Sequence, residues 1–255
     1  MDDARAAQYL ARIGAERPAR PDLAGLRRLH EAHLLAVPFE CLSIELGEPV
    51  SLAEEQLLAK IVDRRRGGFC YEVNGAFAAL LTALGYQVEL LSARVFFDEK
   101  LGPPFDHLAL RVRLDEPWLV DVGFGRFTRH PLRLNDREPQ ADPVGTCTIS
   151  ERPDGDLDIH RDGVLQYQLD QRPYRLEDFA PTCWWQTTSP DSTFAGAPSC
   201  SLPTPDGGWI TLRGTLLITT DPAGARTQAE LTTAEALAAY PRYFGFTLDR
   251  APTGP

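Results

Sequence analysis

The 255-residue sequence has no continuous apolar run near the ~18 residues that a membrane-spanning helix requires. Its first 25 residues, MDDARAAQYLARIGAERPARPDLAG, contain no apolar core of a secretory leader. A soluble, cytoplasmic protein with no membrane partner is expected. Basic residues are in deficit: 26 Lys and Arg against 36 Asp and Glu give a net charge of −10. That field repels nucleic acid, so none is expected as a partner, and any anionic ligand must be held by local groups. Cysteine is sparse and odd in number, and Cys41, Cys70, Cys147, Cys183 and Cys200 include no CxxC pair. The scatter argues against a disulfide framework and against a zinc ribbon. The nearest approach to a metal motif is HEAH, where His30 and His33 stand i, i+3 apart instead of the i, i+4 of HExxH, with no third ligand close by. No bound metal is expected. Internal repeats and low-complexity tracts are also missing.

Hydrophobic residues make up 43% of the chain, enough for the core of one large domain or of two to three small ones. Apolar residues recur at helical spacing over 4–14, 22–36, 51–63 and 72–84, as with Ala6, Tyr9, Leu10 and Ile13 in the first. The texture changes at Gly85. YQVELLSARVFF, DHLALRVRL, WLVDVGF, TCTISE, LDIHR and LQYQL are short β-branched or aromatic runs, so residues 87 to about 190 read as antiparallel strands, as in a small barrel. TSPDSTF marks an irregular connection. Beyond it come two or three strands, SCSLP, WITLRG and LLITT, and one helical stretch, TTAEALAAYPRYFG, interrupted near its end by Pro241.

One stretch, RRRGGFCYEVNG over 64–75, places Cys70 after two glycines and before an amphipathic helix. A turn there would present the thiol at a helix N-terminus, where the macrodipole favours a thiolate. Free cysteine is also among the most buried residue types, so its partners decide the matter. A cysteine nucleophile needs a base and a group that orients the base. His107 begins the strand DHLALRV and Asp121 ends WLVD. If these strands pair as a hairpin around LDEP, the start of one lies beside the end of the other, and the two side chains meet. Papain-like and transglutaminase-like enzymes use the same chain order.

RRGGFCYEVN, with VPFE upstream and FDHLAL, LVDVGFG and TSPDSTF downstream, resembles the arylamine N-acetyltransferase family over nearly the whole chain. The resemblance implies an α+β fold: an N-terminal helical bundle over 1–86, a central antiparallel β-barrel over 87–190 and a C-terminal α/β lid over 191–255. A transglutaminase/papain-like triad of Cys70, His107 and Asp121 would lie between the first two. The implied reaction is ping-pong acyl transfer. The Cys70 thiolate takes the acetyl group of acetyl-coenzyme A, a co-substrate and not a tightly bound cofactor, and passes it to an arylamine, arylhydrazine or arylhydroxylamine. The backbone N–H of Cys70 is the candidate oxyanion donor. Phe39, Phe124 and Phe194 match positions near the thiol where flat aromatic amines would stack. Gly123, Gly125, Arg126 and Thr128 fall in the loop implied to bind the coenzyme or carrier. Arg66 and Glu40 could form a buried pair that orders the Cys70 loop.

Two departures stand out. Cys41 replaces the asparagine of the family's PFEN, and Arg126 replaces the second glycine of VGFGG, so that Arg126, Arg129 and Arg133 form a local basic cluster in an acidic chain. Such a rim would suit an acidic acyl carrier domain, as in the related amide synthases that release a polyketide chain by macrolactam formation. Hydrolysis, with water replacing the amine, is a further alternative.

Overall fold

The structure is a computed structural model that describes residues 1–196 and 198–252. Helices open the chain where the apolar spacing places them. α1 (Asp3–Ile13) and α2 (Leu23–Ala36) start after Asp2 and Asp22, whose carboxylates accept from the Arg5 and Gly25 amides and satisfy orphan donors of the first turn. Gly14 ends α1 at φ 67°, a left-handed value that a Cβ disfavours. A two-residue strand β1 (Phe39–Glu40) and a short α3 (Leu42–Glu45) follow. α4 (Glu54–Leu58) then runs into a π turn over Ala59–Asp63, and α5 spans Cys70–Ala83.

The strands β2 (Gln87–Phe97), β3 (Lys100–Leu101), β4 (His107–Arg113), β5 (Pro117–Val120), β6 (Leu132–Arg133), β7 (Gln140–Asp142), β8 (Gly145–Glu151), β9 (Leu157–Arg161) and β10 (Val164–Tyr174) come next. They form one antiparallel sheet in the order β6-β5-β4-β2-β10-β9-β8-β7, with β3 folded back on β2. A side chain joins its two ends: the Gln140 amide donates to the Arg133 carbonyl at 3.0 Å and accepts from the Arg133 N–H at 2.7 Å. That pair of bonds stands in for a backbone ladder and brings the sheet close to a closed barrel. The β4–β5 hairpin is a shared wall. Leu110, Val112, Trp118 and Val120 face the helices, while Ala109 and Leu119 face the barrel interior with Ile149, Ile159 and Tyr167. A strand covered on both faces reads as a near-continuous apolar run, as LALRV does.

After β10 the expectation of strands up to residue 190 fails. Ala180–Thr188 is a helix, α6, although Thr182, Trp184, Trp185, Thr187 and Thr188 favour strands. Pro181 suits its first turn, and Cys183 and Gln186, one turn apart, face inward. β11 (Ser199–Pro203), β12 (Trp209–Arg213), β13 (Leu216–Thr220) and β14 (Arg226–Glu230) form a second antiparallel sheet, order β1-β11-β12-β13-β14, flanked by α7 (Thr233–Ala239) and a π turn over Tyr240–Phe244 that contains Pro241. The expected divisions after 86 and 190 fall between α5 and β2 and between α6 and β11. β1 nevertheless pairs with β11, Phe39 opposite Ser201. Leu42 and Leu46 share a core with Leu212, Tyr240 and Phe244. Among the described residues, no helix is long and apolar enough to cross a membrane.

Candidate active site

Cys70 is the first residue of α5, and the glycines before it serve space, not flexibility. A Cβ on Gly67 would lie 1.8 Å from the Pro38 carbonyl oxygen, and one on Gly68 would lie 2.6 Å from the Glu72 side chain. Gly68 bonds to the Pro38–Glu40 backbone in both directions, its N–H to Pro38 at 3.3 Å and its carbonyl from Glu40 at 3.0 Å. The loop is thus packed edge to edge against β1. Glu72, three residues past Phe69, accepts from the Phe69 N–H at 3.3 Å. Below lies a buried cluster of four charges: Lys60 bonds Glu72 at 2.7 Å, and Arg66 bonds Glu40 at 2.9 Å, with Lys60 3.6 Å from Glu40. The expected Arg66–Glu40 pair is therefore present, with Lys60 and Glu72 added. Burial acts most strongly on both carboxyls and pushes them up. At Glu40 the charges of Lys60 and Arg66 outweigh it and hold the group low, whereas Glu72, repelled by Glu40, stays raised despite Lys60.

Hairpin pairing sets Leu110 opposite Val120 and Arg113 opposite Pro117. Continued outward, that register puts Asp121 opposite Ala109, one diagonal step from His107, and the even offset keeps both on one face. His107 Nε2 and Asp121 Oδ2 lie 2.7 Å apart, both buried. Asn74, one turn beyond Cys70 on α5, ties helix to hairpin. Its Nδ2 donates to Asp121 Oδ1 at 2.9 Å and to the Leu108 carbonyl at 2.6 Å, and its Oδ1 accepts from the Val122 N–H at 2.9 Å. The Gly123 N–H also donates to Asp121 at 2.9 Å. Burial, the largest influence, pushes the Asp121 carboxyl up, but the His107 charge and these hydrogen bonds outweigh it and hold the group below its ordinary value. For Cys70 the balance reverses: burial pushes the thiol well up, and the hydrogen bond from the Leu108 amide opposes it. A helix N-terminus alone does not make this thiol a thiolate; it needs an adjacent base.

Cys70 and His107 line one cavity of about 1030 Å³, and Phe39, Phe124 and Phe194 line it with them. The Phe124 ring stands edge-on to His107 with centroids 5.3 Å apart, and Phe39 and Phe194 lie 6.4 Å apart. Gly123 and Arg126 reach the cavity; Gly125 and Thr128 do not, and Thr128 is buried. Gly123 packs on Cys70, since a Cβ there would fall 2.8 Å from Cys70 Cα, and Gly125 adopts φ 85°. The expected basic cluster does not form. Arg129 is buried, with Glu31 at 3.6 Å and the Thr204 carbonyl at 3.3 Å, and Arg133 on β6 pairs with Glu116 at 3.3 Å, so that of these three arginines Arg126 reaches the cavity. Consecutive turns of an irregular loop send these side chains in different directions.

Asn74 escaped the sequence reading, although its i, i+4 spacing from Cys70 puts both on one helix face. Asp106, beside His107 and also on the cavity wall, escaped it too, as did Trp209 and Arg213 of the C-terminal sheet. Cys41 lines the cavity with its thiol 3.7 Å from the Ser199 carbonyl. Among the described residues, no group of three His, Cys, Asp or Glu could hold a metal ion. His30 and His33 are buried, with Nδ1 atoms 3.0 Å from the Arg129 carbonyl and 3.1 Å from the Tyr9 hydroxyl respectively.

The family model described as N-acetyltransferase matches residues 22–253. The arylamine N-acetyltransferase of Mycolicibacterium smegmatis is 36% identical over 217 residues, covering 81% of this chain and 78% of that protein. The chain belongs to the arylamine N-acetyltransferase family. It is therefore an enzyme, and solved structures of arylamine N-acetyltransferases share its whole architecture. That from Salmonella typhimurium matches with a TM-score of 0.89 at 29% identity, covering 100% of this chain and 96% of that one. The Mycobacterium marinum arylamine N-acetyltransferase in complex with CoA matches with a TM-score of 0.84 at 32% identity, covering 94% and 92%.

Proposed function

We propose that the enzyme moves an acetyl group from acetyl-coenzyme A, through a thioester on Cys70, to the nitrogen of an arylamine, arylhydrazine or arylhydroxylamine. The carrying observation is the convergence of Cys70, from the helical region, and His107, bonded to Asp121, on one phenylalanine-lined cavity. Because Nε2 of His107 engages Asp121, Nδ1 is the nitrogen that takes the Cys70 proton. Asp121, held ionised, stabilises the imidazolium that results. The thiolate attacks the donor carbonyl, the C–S bond to coenzyme A breaks, the His107 imidazolium gives its proton to the departing coenzyme A sulfur, and the acetyl group stays on Cys70. The Cys70 N–H, which at the first helical position has no intrahelical acceptor, would hold the developing oxyanion. The amine then attacks, its proton passes to His107, and the thiolate leaves.

The phenylalanines supply faces for a flat aromatic acceptor. The donor's phosphates would lie toward Arg126, and toward Arg213 on β12, both on the cavity wall. The carrier-domain alternative was drawn from a cluster of Arg126, Arg129 and Arg133, and with Arg129 buried and Arg133 paired to Glu116 that cluster lends it no support. The test is stepwise. Acetyl-coenzyme A alone should release about one equivalent of coenzyme A with loss of the Cys70 thiol, and an added arylamine should then appear as its acetamide. Cys70→Ala should do neither; turnover surviving in that variant would overturn the mechanism.

A further inference from the structure

Asp106 lines the same cavity as Cys70 and His107, and its carbonyl oxygen is 3.9 Å from the Cys70 sulfur. Its carboxylate is close enough for its charge to be among the influences that raise the Cys70 thiol. The site is built to hold it. Gln186 Nε2 donates to Oδ1 at 2.5 Å, the Val95 N–H donates to Oδ2 at 3.3 Å, and Gly102 leaves room where a Cβ would come within 1.9 Å of Oδ2. Gln186 is itself oriented, because Ser192 Oγ lies 2.7 Å from its Oε1. Ser192 Oγ also accepts from the Phe194 N–H at 3.1 Å, so the carboxylate is linked to the aromatic wall.

Both hydrogen bonds to Asp106 come from neutral amides. Burial is the largest influence on its carboxyl and leaves it above its ordinary value, the amides, His107 and Arg94 offsetting only part. A negative charge so placed gains from a further donor in the cavity.

Resting on the acetyl-transfer reading above, we propose that Asp106 is a specificity-determining residue whose carboxylate accepts a hydrogen bond from a second N–H adjacent to the reacting nitrogen, favouring hydrazines and hydrazides over simple arylamines. An aniline offers only the hydrogens on its attacking atom, one of which leaves in the reaction. A hydrazine keeps an additional N–H on the neighbouring atom. In the transfer the terminal nitrogen forms the C–N bond, the C–S bond to Cys70 breaks, and the nitrogen's proton passes by His107 to the sulfur. The inner N–H is not consumed and stays on Asp106.

The experiment loads the full chain with acetyl-coenzyme A, then measures single-turnover transfer to phenylhydrazine and to aniline in wild type and in Asp106→Asn. Effects on the thiol or on loading are common to both acceptors and cancel in the ratio of rates. That ratio should fall at least about tenfold in the variant, the scale of one hydrogen bond to a charged group. A ratio unchanged within about twofold would overturn the proposal. Should Asp106→Asn lose its cooperative thermal transition, Asp106→Ser serves for the same comparison. Failure of wild type to release coenzyme A on loading would count against acetyl transfer itself and not against the role of Asp106.

Discussion

At His107, the bond from Nε2 to Asp121 fixes the orientation of the ring and leaves Nδ1 as the nitrogen that the proposed mechanism uses toward Cys70. Burial pushes the Cys70 thiol up, and in the proposed mechanism its thiolate is sustained by a His107 imidazolium that Asp121 stabilises. Asp121→Asn removes that stabilisation. The pH midpoint for alkylation of Cys70 by iodoacetamide should therefore move upward, and turnover should fall by about three to four orders of magnitude. An unmoved alkylation profile would separate Asp121 from the thiol. The buried charges below the loop allow a stability prediction. Lys60→Met leaves Glu72 and Glu40 with one cation fewer in a closed site, and should lower the unfolding free energy by about 3–5 kcal/mol in urea melts. Cys70, His107 and Asp121 were legible because each stands at an element boundary and hairpin parity relates two of them. Asn74 and Asp106 were not, since an amide inside a helix and an acid before a strand carry no special pattern until their partners are known.

Among the elements, the loop before α5 has the most to say about function. Its two glycines suggested a turn that presents a thiol; the structure instead wedges them against Pro38 and Glu72, at distances no Cβ tolerates. Gly67→Ala should therefore push the loop off β1, lower stability by about 1–3 kcal/mol and slow acylation of Cys70 with little change in the rate at which other thiols label. Acylation at the wild-type rate would show that the loop does not set the position of Cys70. The helices α1 and α2 were readable from spacing because each buries one face on a common core, whereas α5, expected to be amphipathic, is buried on nearly every side. α6 was not readable, because its threonines and tryptophans belong by propensity to strands and its helicity comes from packing near Asp106 and the Cys70 region. β14 was missed for a different reason: every residue from Arg226 to Glu230 is exposed, so no alternation marks it, and only pairing with β13 makes it a strand.

On the scale of the whole molecule, the order of helices, barrel strands and a last group of strands with one helix was visible in the changing texture of the chain, but the sharing of cores between these regions was not. Leu42 and Leu46, from the helical region, complete the apolar cluster of the C-terminal sheet with Phe244 and Phe246. The guanidinium of Arg66, whose carboxylate partner is Glu40, lies 5.3 Å from the centroid of the Phe246 ring. The far end of the chain thus braces the charge cluster under the nucleophile. Phe246 is 4% exposed, and its truncation removes both an apolar plug and the face on which Arg66 rests. Phe246→Ala should cost about 3–5 kcal/mol of stability. Because Leu42 and Leu46 link the core of the C-terminal sheet to the helical region, the loss should appear as a downward shift of one thermal transition and not as early melting of the C-terminal region alone. Calorimetry reads the difference: an early, separate transition in the variant, with the rest of the chain melting at the wild-type temperature, would show the C-terminal region to be an independent unit and the brace on Arg66 to be without consequence.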